Sequence, residues 1–247
     1  MATTDQAICI RTADYSETSQ VVRLLTRGGG VVRLLAKGSK RPRSKSGGRI
    51  DLFAEGRCVF GGAGREGLGT LMEFAETTSH AALRTDLDRL HTGLYMLELC
   101  GALLAEDDPH PEVFDLLHNA LGRLAQPDSA PPAVLAYFQY RLLRHAGLLG
   151  AMDACVACGA KVSLGGVYFS SSAGGLLCRG CEAAEPEKYA VSPAALAGLA
   201  ALAAAQAGRR PTFPQKQAHA VNDLLIYHIE YQLGKRLRTA RYVRQAK

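Results

Sequence analysis

Val21-Val22-Arg23-Leu24-Leu25-Thr26-Arg27-Gly28-Gly29-Gly30-Val31-Val32-Arg33-Leu34-Leu35 writes one pentapeptide twice around a glycine-rich turn. β-Branched and leucine residues at both ends, with glycine between them, predict two strands joined as a hairpin centred on Gly28. That register sets Arg23 opposite Arg33, an unfavourable pairing unless an anion lies between the two guanidinium groups. Outward from the hairpin, Ala7–Arg11, Ile50–Phe60 and Gly69–Glu76 are the further strand candidates, with Gly47-Gly48 and Gly61-Gly62 as punctuation. Five short strands in about 75 residues predict a small OB-type barrel. An open meander with both arginines in solvent is the alternative.

Beyond Ser79 the period changes. Leu83, Leu87, Leu90, Leu94 and Leu97 recur at helical spacing, as do Val113, Leu116, Leu117, Ala120, Leu121 and Leu124. Pro131-Pro132 opens a helix through Val134, Leu135, Phe138 and Leu142, with Gly147 as its cap. Ser192-Pro193 reads as an N-cap and first helical residue before Ala194–Ala207, and Pro214 opens a last long helix. The expected fold class is therefore α+β: an N-terminal OB-fold β-barrel, a helical bundle domain, and an inserted four-cysteine zinc-ribbon-like module. The expected domains are 1–79, a helical domain from 80–150 and 188–247, and the cysteine module at 151–187.

That module rests on Cys155-Val156-Ala157-Cys158 and Cys178-Arg179-Gly180-Cys181, two C-x₂-C turns 19 residues apart. Each turn aims two thiolates at one point, and two turns complete the tetrahedron that zinc prefers. Four cysteine ligands leave no open position for substrate or water, so one structural Zn²⁺ is the expected cofactor. Redox pairs or loose thiols are the alternative. The other cysteines, Cys9, Cys58 and Cys100, stand singly in apolar segments, as buried thiols of a reducing cytosol would.

Charge is distributed unevenly. The formal net charge is +6. Residues 1–80 carry 12 Lys/Arg against 8 Asp/Glu, residues 81–150 carry 5 against 9, and residues 151–247 carry 12 against 6. Basic ends around an acidic middle point to a polyanionic partner for the ends and protein contacts for the middle. Six of the 13 residues from Lys37 to Arg49 are basic and none is acidic. Lys37, Lys40, Arg41, Arg43, Lys45 and Arg49, with Arg23 and Arg33 on the hairpin, are the expected phosphate-binding residues. A solvated loop without a partner is the alternative. Lys235, Arg236, Arg238, Arg241 and Arg244 form a second basic stripe, whose alternative role is charge at a helix C-terminus.

Other chemistries find no support. Gly62-Ala63-Gly64-Arg65-Glu66-Gly67 matches a dinucleotide fingerprint, but no helix and parallel strand follow it. His228-Ile229-Glu230 matches part of a zinc-deaminase signature but comes after the cysteines, the wrong order. The seven histidines show neither ligand spacing nor a nucleophile partner, so no enzyme is expected. No run of about 18 apolar residues suggests a membrane span. The first residues lack a secretory pattern, so a cytoplasmic protein is expected.

These pieces, in order, resemble the RecO family of bacterial DNA repair proteins. Asp14-Tyr15-Ser16-Glu17-Thr18, Ala36-Lys37-Gly38 with its basic run, and Gly67-Leu68-Gly69-Thr70-Leu71 are similar to the family's first domain. Tyr95-Met96-Leu97-Glu98-Leu99, Phe138–Gly147, Cys155–Gly159 and Leu233–Thr239 are similar to its helical core, zinc knuckle and end. Gly28-Gly29-Gly30 departs from the glutamate- or lysine-bearing turn more usual there. The resemblance implies a non-enzymatic recombination mediator, monomeric by itself. Such a protein binds single- and double-stranded DNA, anneals complementary strands and works with RecR. It thereby loads recombinase, RecA, onto DNA coated by single-strand-binding protein. The acidic tail of that protein would suit Arg141 or Arg144. A zinc-ribbon adaptor that binds protein first, in transcription or replication, is the reading from another class.

Overall fold

The computed structural model describes residues 2–41, 44, 48–62, 67–162, 166–205, 212 and 214–244. Contacts divide the chain into two compact units, Met1–Pro127 and Asp128–Lys247.

Five strands build the first unit: β1 (Ala2–Asp14), β2 (Gln20–Thr26), β3 (Gly30–Ala36), β4 (Glu55–Gly61) and β5 (Gly69–Thr78). They run β1-β2-β3-β5-β4 and close as β1 returns to β4. The seam between β3 and β5 is short and parallel, Leu34 with Gly69 and Leu35 with Thr70. Ala7, Cys9, Val22, Leu24, Val32, Leu34, Cys58, Phe60 and Phe74 fill the interior, which is the period-2 face the sequence displays. The repeated pentapeptides pair as expected, Arg23 against Arg33 and Thr26 against Gly30. Gly30 has φ +71°, and a Cβ there would lie 2.0 Å from the Asp108 carbonyl oxygen, so only glycine lets the hairpin meet the 106–108 turn. β1 is longer than its apolar core because Ala2–Gln6 pair with Gly61–Arg57 of β4. The segment 50–54 is not strand. Phe53 adopts φ 70° and is held by exchange with a bulged β1, Phe53 N–H to Cys9 O and Cys9 N–H to Ala54 O.

The expected fold class requires correction. The helices divide between the two units instead of following a free-standing OB-type barrel as one domain. α1 (Leu87–Leu103) and α2 (Pro111–Leu124) belong to the first unit. They pack on β1 and β2, whose Ile8 and Leu25 are fully buried, and the turn after α1 meets the equally buried Val31, with Asp107 N–H donating to Val31 O. The physical reason is that β1 to β3 carry apolar residues on both faces, so the outer face also needs cover. The leucine stripe from Leu83 is also split. A 3₁₀ turn at Ala81–Thr85 shifts the phase, and Asp86 caps a new helix by accepting from the Arg89 N–H. Leu87 is left 69% exposed.

The second unit holds α3 (Pro131–His145), β6 (Tyr168–Ser170), β7 (Gly175–Leu177), β8 (Tyr189–Ala190), α4 (Pro193–Ala204), α5 (Gln215–Leu233) and α6 (Ala240–Val243). α5 packs against both α3 and α4. Ser192 Oγ accepts from the Ala195 N–H with Pro193 at the first helical position, as the sequence predicts. A buried amide pair joins α3 to α5: Gln139 Nε2 donates to Asn222 Oδ1 (2.9 Å), and Asn222 Nδ2 donates to Pro132 O (2.9 Å). The small strands form a sheet in the order β7-β6-β8. Gln232 Nε2 donates to Ser171 O, and Tyr227 donates to Glu187, which ties this sheet to α5.

Candidate metal centre and nucleic-acid interface

Two backbone knuckles bring the four cysteines together. In the first, Gly159 N–H returns to Cys155 O (2.9 Å), with Gly159 left-handed at φ 73°. In the second, Cys181 N–H returns to Cys178 O (3.0 Å). The first knuckle sits on β7: Val156 N–H donates to Leu176 O, and a Cβ on Gly175 would meet Val156 Cγ1 at 2.1 Å. As a result the sulfurs of Cys155, Cys158, Cys178 and Cys181 all lie within 4.8 Å of one another. Cys158 and Cys178 are 3.8 Å apart, the edge of a tetrahedron with metal–sulfur bonds of about 2.3 Å. Burial raises the Cys155 thiol, but the backbone N–H groups of Cys178, Cys158 and Ala157 outweigh it and bring the pKa to about 6. Hydrogen bonds to the Cys158 and Cys178 sulfurs push Cys181 up to about 12. The arrangement is a four-thiol cluster able to coordinate one metal ion, with no open ligand position.

The basic residues divide into engaged and open groups. Arg23 Nη2 pairs with Glu106 Oε1 at 3.1 Å, so the anion demanded by the Arg23–Arg33 pairing comes from the chain itself. Arg11 lies opposite Arg23 on its other side, giving a row of three arginines across β1, β2 and β3. The sequence reading missed Arg11 because a bulge between Cys9 and Arg11 shifts the register. Lys40 Nζ binds Asp14 Oδ1 at 2.9 Å and Arg49 approaches the same oxygen at 3.3 Å. The bond from Lys40 holds the exposed Asp14 carboxyl below its ordinary range, with Arg49 adding to it. Arg33, Lys37 and Arg41 are exposed and form no ion pair among the described residues. Arg43 and Lys45 lie outside the described residues, as does most of the 62–67 glycine motif. In the tail, Lys235 and Arg236 are exposed, Arg238 is exposed on the same stretch, Arg241 stacks on Tyr242 at 4.6 Å, and Arg244 pairs with Glu230 at 2.7 Å. Arg144 donates to Leu149 O and Gly150 O, and Arg141 lies over Tyr137.

A further cluster escaped the sequence reading. Glu55, buried at the start of β4, accepts from His80 Nε2 (3.1 Å) and from His118 Nδ1 (2.6 Å). The three residues are 25 and 63 positions apart in the sequence, so no local motif marks them.

Both halves of the chain match one family. Residues 1–79 match the Recombination protein O N-terminal family, and residues 84–241 match the Recombination protein O C-terminal family. The chain belongs to the Recombination protein O family. Relatives named DNA repair protein RecO cover most of it. That of Anaeromyxobacter dehalogenans (strain 2CP-C) is 35% identical, over 96% of this chain and 93% of the relative. That of Myxococcus xanthus is 32% identical, over 98% and 96%. That of Bacillus pumilus is 33% identical, over 77% and 72%. Among the described residues no helix is long and apolar enough to cross a membrane.

Proposed function

We propose that this chain is a recombinational DNA-repair mediator, not an enzyme, which binds single- and double-stranded DNA and anneals complementary strands. With RecR it helps load the recombinase RecA onto DNA coated by single-strand-binding protein, in the cytoplasm at the nucleoid. The observation that carries this reading is the match of both chain halves, residues 1–79 and 84–241, to a single recombination-protein family.

The open cations support a phosphate-binding role for the first unit. Arg33, Lys37 and Arg41 have no competing carboxylate among the described residues, and Arg43 and Lys45 continue the same basic run. Lys40 and Arg49, shared with Asp14, and Arg23, shared with Glu106, have first to exchange a carboxylate for a phosphate. Lys235, Arg236 and Arg238 are the second candidate stretch. For the cysteine cluster the ion is zinc, because four thiolates at tetrahedral spacing suit its size and softness. Its role is structural.

The experiment is strand annealing. The purified protein should anneal complementary oligonucleotides without any nucleotide, and with RecR should relieve the block that single-strand-binding protein places on RecA. Failure of both activities with correctly folded protein overturns the reading.

A further inference from the structure

The first 79 residues contain four aromatic side chains, and the fold treats one of them differently. Phe53, Phe60 and Phe74 are 1%, 5% and 2% exposed, whereas Tyr15 is 64% exposed. Its ring has no hydrogen-bond or aromatic partner among the described residues. Yet the turn beneath it is tightly fixed. Tyr15 N–H and Ser16 N–H both donate to Ser19 O (3.0 and 3.3 Å), and Ser19 N–H donates to Ser16 Oγ (3.2 Å). From the neighbouring loop, Lys40 N–H reaches Thr18 O (3.0 Å), Lys40 Nζ reaches Ser16 O (2.9 Å), and Gly38 N–H reaches Ser19 Oγ (3.1 Å). The ring is therefore held in water at a rigid turn laced to the basic loop. Lys40 and Arg49 converge on the adjacent Asp14, and Lys37 and Arg41 lie exposed on the same loop.

We propose that Tyr15 is a base-stacking residue, which together with the cations of the 37–41 loop takes an unpaired base of single-stranded DNA. The proposal deepens the reading of the chain as a DNA-binding protein and rests on it. The chemistry is specific to single strands. Every unpaired base offers a π-face and the adjoining phosphate meets a lysine or arginine, whereas bases of a duplex are already stacked on one another. A platform fixed before binding forfeits little entropy when the base arrives. Tyr15 thus sets the preference for single over double strands, while the loop cations serve both.

The native chain contains no tryptophan, so Tyr15→Trp places a sole indole at the proposed contact. Its emission should be quenched on titration with oligothymidylate and stay unchanged with a duplex of equal length. Tyr15→Ala should weaken oligothymidylate binding roughly 5- to 150-fold at fixed salt. Its duplex affinity and the slope of affinity with salt should match wild type, which also shows that the variant is folded. Tyr15→Phe should retain most of the affinity. Unchanged oligothymidylate affinity in Tyr15→Ala, or unquenched indole emission in a variant that still binds, overturns the stacking proposal and leaves the DNA-binding reading intact. A wild-type protein that binds neither single strand nor duplex overturns that reading, and this one with it.

Discussion

Glu55 joins three segments of the first unit through one buried side chain. A buried carboxylate is tolerated only when its lone pairs are occupied, and two imidazoles from different elements occupy them here. Burial by itself raises the Glu55 carboxyl, but the His80 and His118 contacts outweigh it and leave the group below its ordinary value. A carboxyl depressed in the folded state stabilises the fold above its unfolded value, about 4.3, and that stabilisation is lost as pH falls through the folded value. Glu55→Gln should therefore cost about 2 kcal/mol at pH 7, with the difference from wild type shrinking in acid. Urea unfolding at pH 7 and near pH 3 measures it. A constant difference across that range would show that the loss comes from packing instead of charge.

At the scale of elements, the cysteine module is the part least able to hold itself together by burial. β6, β7 and β8 span only three, three and two residues, too short for a sheet to be stable without support. A metal ion closing the four thiols would supply what the short strands do not. The purified protein should contain about one zinc per chain, and Cys158→Ala should lower zinc content and thermal stability together. Elemental analysis and a melting curve check both. Zinc retained at wild-type level after Cys158→Ala would remove Cys158 from the ligand set. Contacts of Gln232 with Ser171 and of Tyr227 with Glu187 still tether the sheet to α5, so the loss should be local rather than global unfolding.

At the scale of the whole molecule, the 29 lysines and arginines overstate the cations available to DNA. Asp14, Glu106, Asp115 and Glu230 each engage arginine or lysine. Affinity should therefore depend most on the residues left open. For single strands each neutralised phosphate contributes about −0.7 to the slope of log K against log salt. Replacing Lys37 and Arg41 together by alanine should flatten the slope by about 1.4, with weakening that does not depend on base sequence. Binding isotherms at several salt concentrations test this. An unaltered slope in the double variant would move the phosphate contacts to the Lys235–Arg238 stretch.

The features legible in the sequence were those with short-range causes. The pentapeptide repeat fixed the β2–β3 register because a hairpin turn sets pairing locally. The C-x₂-C spacing announced the thiol cluster, and Ser192-Pro193 announced the start of α4, because both depend on neighbours within a few residues. What only the tertiary structure decided were meetings between distant segments. The helices after Ser79 separate into two units because Ile8, Leu25 and Val31 demand cover on the outer face of the sheet, which periodicity alone does not reveal. Glu55 finds His80 and His118, Arg23 finds Glu106, and Lys40 finds Asp14 through chain crossings that sequence spacing does not encode. Which cations remain open to a phosphate, and that Tyr15 alone of four aromatics stays in water, follow from burial and three-dimensional pairing. Those are properties of the packed chain, set when its elements compete for the same apolar surface and the same counter-charges.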